Sequence, residues 1–479
     1  MRFGPVFHVV GYILQLIGVA MLLPIPWGLY YHEEETYLFV ICAIITFATG
    51  LALNKLLKEE NDKLRVVEGI GIVSFGWIIT SVFGALPFYL SGNFSFVDSF
   101  FEIISGFTTT GASIINDVEA LPHCILFWRS LSHWIGGMGI IFLAFILLPA
   151  LSVGGRELIS PESSVTQLEK IKPRLRDVAK SLYGIYLLFT GAQIILLLFG
   201  GMNIFDSMCH TFGTIATGGF STKNTSIAYY NSPYIEGVIV LFMFLGATSF
   251  TLHYNAFRRK FDYFKDEEFI FYVGILAFSI LFMTLDIRTH IYDSLSQSFR
   301  YATFQVMSIS TTTGFATADF NLYPDFSRLI LVLLMIMGGC AGSTAGAIKI
   351  MRITILTKAG VRELKKIIHP HAVMPINFRG KVIPQETLVN IGTFFASYLA
   401  VYVVSCLIMT GLGVDMITSL SAVAATMGGV GPGLGLVGPA TTYYVLGPGA
   451  KILLSFCMLV GRLEIFTLLV LLSPAYWKE

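Results

Sequence analysis

Apolar stretches of about twenty residues recur along almost the whole 479-residue chain, and no other feature limits the fold as severely. A helix of that length crosses a hydrocarbon core of about 30 Å. Hydrophobic residues make up 55% of the chain and charged residues 13%, against about 45–50% and about 25% in soluble domains. A water-soluble fold would have too few charges to cover its surface, so the chain reads as an all-α, multi-pass membrane protein. Ten spans are expected, at about residues 7–30, 36–55, 68–90, 124–150, 180–200, 233–257, 269–287, 326–356, 388–412 and 448–474.

Net charge is +1, so bulk electrostatics point to no nucleic acid and no acidic partner; the placement of the charges is what informs. Segments 55–68, 151–180, 258–268 and 349–386 together hold 22 of the 31 Lys and Arg residues, whereas 91–123 and 414–447 hold none. Positive loops stay on the cytoplasmic side. With an even number of spans, both termini are therefore expected in the cytoplasm, and the membrane is read as the inner (cytoplasmic) one. The six cysteines are scattered through apolar runs without metal-ligand or disulfide spacing, so they read as small hydrophobes. The first apolar run has no charged leader or cleavage motif and reads as a membrane helix.

After residue 68 one unit recurs four times: a span, a short apolar half-helix, a Thr/Gly-rich loop and a second span. The loops are Ser105–Ser113, Thr214–Ser221, Ser310–Thr317 and Thr426–Gly433, and their glycines Gly111, Gly218, Gly314 and Gly431 are 107, 96 and 117 residues apart. The division that follows is 1–57 (two extra N-terminal transmembrane helices), then pore repeats 58–150, 151–260, 261–366 and 367–479. Non-helical backbone survives at membrane depth only when buried in protein or lining a watery path. Four such segments in equivalent places imply one shared central pore. Glycine permits the backbone angles that turn carbonyls inward, and rings of carbonyls can replace the hydration shell of a monovalent cation. Half-helices ending at the loops would aim their negative ends at the ion. Asp98, Asp206 and Asp415, near the half-helix starts, are expected to cap them.

At these loops the sequence resembles the TrkH/KtrB superfamily of potassium uptake proteins, and its two extra N-terminal helices favour the TrkH branch. The resemblance extends to the glycine-rich run Gly338–Lys349 and to Gly461-Arg462-Leu463-Glu464. It implies a potassium filter at Thr109, Thr110 and Gly111; Ala216, Thr217 and Gly218; Thr312, Thr313 and Gly314; and Gly429, Val430 and Gly431. The family commonly has Asn where Gly429 stands. The resemblance also implies a homodimer, with one pore per subunit, whose gate is controlled by a cytosolic TrkA-like nucleotide-binding ring protein (ATP/ADP or NAD). K⁺ is then the substrate, and no cofactor is expected in this chain.

Two segments are gate candidates. The run 338–346, with Gly338, Gly339, Gly342, Ser343, Thr344 and Gly346 ahead of Lys349, fits either a close-packing helix face or a break that forms a movable intramembrane loop. Arg462 sits mid-span, where an arginine costs about 2.5–3.5 kcal/mol to insert. It is expected to face the cavity beneath the filter, where its charge raises a barrier when the gate is shut; a structural ion pair is the alternative. Glu102 is a candidate for the outer vestibule, His133 for a packed polar residue, and Trp128, Trp134 and Trp477 for interfacial anchors. An ion-coupled (H⁺ or Na⁺) symporter of potassium is the alternative function. The four units share one orientation, unlike the inverted repeats of many transporters. No paired carboxylates, His cluster or activated nucleophile point to an enzyme.

Overall fold

The computed structural model describes residues 1–57, 65–151 and 165–478. The expected cytoplasmic cations Lys58, Lys63 and Arg156 lie outside the described residues, as do the side chains of Lys170, Lys172, Arg174 and Arg176.

An N-terminal hairpin comes first: α1 (Phe3–Ala20), the short α2 (Ile25–Tyr30) and α3 (Thr36–Leu56). Between α2 and α3, Glu33 accepts hydrogen bonds from the backbone N–H groups of His123 (2.5 Å) and Cys124 (2.9 Å). The carboxylate thereby caps the start of a helix in the first repeat.

Four repeats follow. The first contains α4 (Val66–Gly84), α5 (Leu86–Leu90), α6 (Phe96–Phe107) and α7 (His123–Leu151). The second contains α8 (Val165–Phe199), α9 (Ile204–Ile215), α10 (Pro233–Ala247) and α11 (Phe250–Phe257). The third contains α12 (Glu267–His290), α13 (Leu295–Ser310), α14 (Asp325–Ile336) and α15 (Ile350–Ile368). A two-stranded antiparallel hairpin, β1 (Asn377–Phe378) and β2 (Lys381–Val382), precedes the fourth. That repeat contains α16 (Gln385–Gly411), α17 (Met416–Gly428), α18 (Pro448–Leu463), α19 (Ile465–Leu469) and α20 (Pro474–Lys478).

Among the described residues, six helical segments are long and apolar enough to cross a membrane, and they match the expected first, second, third, fifth, seventh and ninth spans. The expected fourth span is the continuous helix α7. The sixth, eighth and tenth depart from expectation, because none is a continuous helix. The chain bends by 99° between α10 and α11. It leaves the helix from Met337 to Lys349 between α14 and α15. It breaks again at Glu464, whose φ of +64° ends α18. The second membrane helix of repeats two, three and four is therefore interrupted, and the three interruptions meet around one loop.

Trp128 is not an interfacial anchor: it is fully buried, and its indole N–H donates to the Gly84 carbonyl at 3.0 Å.

Candidate ion pathway

Each repeat positions its loop with a half-helix, α6, α9, α13 or α17. The caps sit three residues earlier than expected in the first two copies. Ser95 accepts from the Asp98 N–H (3.1 Å) and Asn203 from the Asp206 N–H (2.7 Å), so both aspartates occupy the third helical position. Each acidic side chain turns back to the side chain of its cap residue: Ser95 donates to Asp98 (2.7 Å) and Asn203 to Asp206 (2.9 Å). In the fourth copy Asp415 is itself the cap, accepting from the Thr418 N–H at 3.0 Å. The long lead-in of the third copy is additional helix, since α13 runs 16 residues against 12 for α6 and α9.

The loops share one backbone pattern. Thr109, Thr217, Thr312 and Gly429 have φ of +54°, +54°, +58° and +69°, and two residues later Gly111, Gly219, Gly314 and Gly431 have +81°, +79°, +84° and +95°. This pattern shifts the second loop by one residue from its expected register. Ala216 caps α9 as Thr108 caps α6, so Thr217 is the counterpart of Thr109 and Gly218 of Thr110. Gly219, absent from the expected set, is the counterpart of Gly111. A β-branched residue in the left-handed region is an outlier, of order 1–3 kcal/mol each. Three loops carry that strain and the fourth, with Gly429, does not.

The four loops close on one another. A Cβ placed on Gly111 would lie 2.0 Å from the Gly218 carbonyl oxygen, and one on Gly219 would lie 1.8 Å from that of Thr313. One on Gly314 would lie 1.9 Å from the Val430 oxygen, and one on Gly431 would lie 2.7 Å from that of Thr110. Repeat one thus abuts two, two abuts three, three abuts four and four returns to one, at distances that exclude any side chain. The hydroxyl layer beneath is only twofold: Thr108 pairs with Thr110 and Thr311 with Thr313, each at 2.8 Å, while the second and fourth loops have Ala216 and Gly428 instead.

Side chains behind the ring hold its backbone. His133 is fully buried; its Nδ1 donates to the Gly106 carbonyl (2.8 Å), and Nε2 accepts from the Phe220 N–H (3.2 Å). It packs where a side chain on Gly218 would stand. Glu102 is not in the vestibule. It is fully buried, pairs with Arg129 at 2.5 Å, and accepts from the Ser113 hydroxyl and the Ile114 N–H. Arg129 in turn donates to the Ser221 carbonyl (2.8 Å) and lies 3.6 Å over the Phe220 ring. The pair therefore joins the first loop to the second. Outside the ring is a vestibule of about 460 Å³, bordered by Gly111, Gly219, Gly314 and Pro432 and, further out, by Lys223 and Asp319.

Inside the ring, residues 337–349 form a loop rather than a packed helix face. Its ends pair as Met337 with Ile348, and the Gly338 N–H donates to the Ile348 carbonyl at 3.0 Å. Gly338 and Gly339 lie against the Gly346 and Ala247 carbonyls too closely for a side chain. Gly342 accepts from the Phe250 N–H (3.0 Å), and the Ser343 hydroxyl donates to Cys340 within the loop (2.6 Å). The tip reaches the ring itself: the Gly346 N–H donates to the Thr312 hydroxyl (2.7 Å), and the Thr344 hydroxyl lies 3.0 Å from the carbonyls of Ile215 and Gly246. Lys349 Nζ donates to the Ala345 carbonyl. Arg462, 5% exposed, donates to the carbonyls of Thr344 (2.8 Å) and Gly136 (3.1 Å). Among the described residues no carboxylate pairs with it; Glu464 pairs with Arg352 at 2.8 Å. Gly219, Arg129 and Glu268, the buried carboxylate of α12 that accepts from the Ala341 (2.6 Å) and Met351 (3.0 Å) N–H groups, do not stand out from the sequence alone. The tandem Gly218-Gly219 is a visible signal for the first, and Glu268 has no local signal.

Four half-helices that end at mutually touching Thr/Gly loops, set among apolar helices long enough to cross a membrane, define the architecture of a multi-pass membrane protein. The chain belongs to the TrkH family, whose model, described as a cation transport protein, matches residues 35–479. It is 39% identical to the Trk system potassium uptake protein TrkH of Salmonella typhimurium, with all of both chains covered. It is 35% identical to the Trk system potassium uptake protein TrkG of Escherichia coli, over 99% of this chain and 98% of that one. The crystal structure of the potassium transporter TrkH from Vibrio parahaemolyticus superposes with a TM-score of 0.92, at 39% identity and with full coverage of both.

Proposed function

We propose that this chain takes up potassium across the cytoplasmic membrane through the ring formed by residues 109–111, 217–219, 312–314 and 429–431. The observation that carries this reading is the cyclic closure of the four loops, each glycine against the next repeat's carbonyl. Such closure fixes the carbonyls around a common axis, the arrangement that substitutes for water around a cation. The loop 338–346 is the gate, because it occupies the inner side of the ring and is hydrogen-bonded to it. Arg462 holds the loop and places a positive charge beneath the ring, which raises the barrier to cations while the gate is shut. Ala216, at the helix cap, is left out of the proposed potassium-binding set and Gly219 enters it.

The relatives' names support a chain that works within a Trk system; the homodimer and the cytosolic TrkA-like ring protein that senses nucleotide are proposed from the family resemblance. Both termini lie in the cytoplasm, on the side of the Lys- and Arg-rich loops. The module borders 57/58, 150/151, 260/261 and 366/367 go with this reading. The test is rubidium-86 uptake into sealed liposomes that hold the purified protein. Block by potassium and not by sodium is the expected result, and equal block by both would remove the potassium assignment.

A further inference from the structure

A fully buried carboxylate holds the intramembrane loop at Ala341 and again just past its C-terminal end. Glu268, in the first turn of α12, accepts from the Ala341 N–H (2.6 Å) and, just past the loop, from the Met351 N–H (3.0 Å). Its other oxygen accepts from Arg379 at 2.8 Å. Arg379 and Gly380, with φ of +51° and +74°, form the two-residue turn of the β1–β2 hairpin, as a tight hairpin demands. Arg379 also pairs with Asp266 at 2.7 Å. The hairpin is itself fixed to α15, the helix that follows the loop, and to α16: Phe378 is buried with Ile355 of α15 and with Leu388 and Ile391 of α16. Lys358 bridges Glu267 and the Asn377 carbonyl. A chain of charged hydrogen bonds thus runs from an exposed cytoplasmic turn to the backbone of the loop that touches the ring.

We propose that Glu268 and Arg379 are positioning residues that latch the intramembrane loop against the ring, and that the 377–382 hairpin is the lever that releases it. The proposal rests on reading 338–346 as the gate. Charge-assisted hydrogen bonds are about twice as strong as neutral ones. Removing one member of a buried set leaves the others uncompensated. Loss of Arg379 therefore loosens Glu268, and with it Ala341 and Met351, without touching any residue of the ring.

The test uses the full chain in liposomes without a partner protein. Arg379→Ala and the isosteric Glu268→Gln are each expected to raise rubidium-86 uptake about tenfold, within the range of measured couplings between sites. The potassium-to-sodium competition ratio should stay at the parent value. Independently of transport, Cys340 is buried beside Ala341 and bonded through its N–H to Ala247. With the other five cysteines replaced by alanine, it should react several-fold faster with a small water-soluble thiol reagent when the latch is broken. Arg379→Lys, which keeps the charge, should restore most of the parent behaviour and serves if the alanine variant fails to fold. Unchanged uptake and unchanged Cys340 reactivity in both latch variants would overturn the latch if Thr344→Ala, within the loop, still raised uptake. If Thr344→Ala also left uptake unchanged, the gate reading would fall and the latch with it. A changed competition ratio would place Glu268 and Arg379 in the service of the ring instead.

Discussion

Replacing Gly219 by alanine tests whether the four loops must touch. The added Cβ would lie 1.8 Å from the Thr313 oxygen, whereas ordinary contacts begin near 3.4 Å, so one of the two backbones must retreat by roughly 1.6 Å. The φ of +79° adds strain of about 1–2 kcal/mol for an L-residue, and overpacking adds typically about 1–3 kcal/mol. Together these reach about 2–5 kcal/mol, which at about 1.4 kcal/mol per decade depopulates the closed ring by roughly 30- to 4000-fold. Gly201→Ala separates the two contributions, because Gly201 has φ +89° but nothing within 4 Å of the place its Cβ would take. Rubidium-86 uptake and the potassium-to-sodium competition ratio should collapse in Gly219→Ala and persist in Gly201→Ala. Uptake and ratio within twofold of the parent in Gly219→Ala would show that the closed ring is not the pathway.

Four other perturbations give distinct outcomes. Gly429→Asn meets only the Gly346 Cα, at 3.8 Å, and Asn tolerates left-handed backbone; its melting temperature should stay near the parent's and its competition ratio should rise, measured by the same uptake assay. Glu102→Gln removes the counter-charge of buried Arg129, a loss of about 3–5 kcal/mol for a broken buried pair, so a lower melting temperature and a narrowed potassium preference are expected together. Arg462→Ala frees the Thr344 and Gly136 carbonyls; partner-free uptake should rise, and unchanged flux would sink the barrier role. Glu33→Ala loses a helix cap worth about 0.5–2 kcal/mol. Burial alone would raise the Glu33 carboxyl, but hydrogen bonds from Cys124 and His123 outweigh it and hold it below the ordinary range. Its stabilisation is therefore present above the unfolded value of about 4.3 and is lost as pH falls through the lower folded value. The gap in melting temperature between parent and Glu33→Ala should be constant near neutrality and narrow in acid.

Run length and charge placement made the membrane class legible, and the recurrence of Thr/Gly loops revealed the four repeats, because those signals follow from hydrocarbon thickness and backbone satisfaction. The register of the second loop was not legible. Backbone angle defines it, and Thr217-Gly218-Gly219 offers two glycines of which only the second has the left-handed angle. The breaks at Thr248-Ser249 and Glu464 carry no proline or glycine; a polar residue or pair inside an apolar run was their only trace. Ser95-x-x-Asp98 and Asn203-x-x-Asp206 are N-cap patterns in plain view, and taking the acid itself for the cap placed the helix start three residues late. The Glu268–Arg379 latch joins positions 111 residues apart, so no local window contains it.

Crystals grown with rubidium or thallium in place of potassium, with the anomalous signal recorded, test the central claim most directly. Density on the axis between the carbonyls of Thr110, Gly218, Thr313 and Val430 is the expected result. Density confined to the vestibule near Asp319, with none inside the ring, would contradict it.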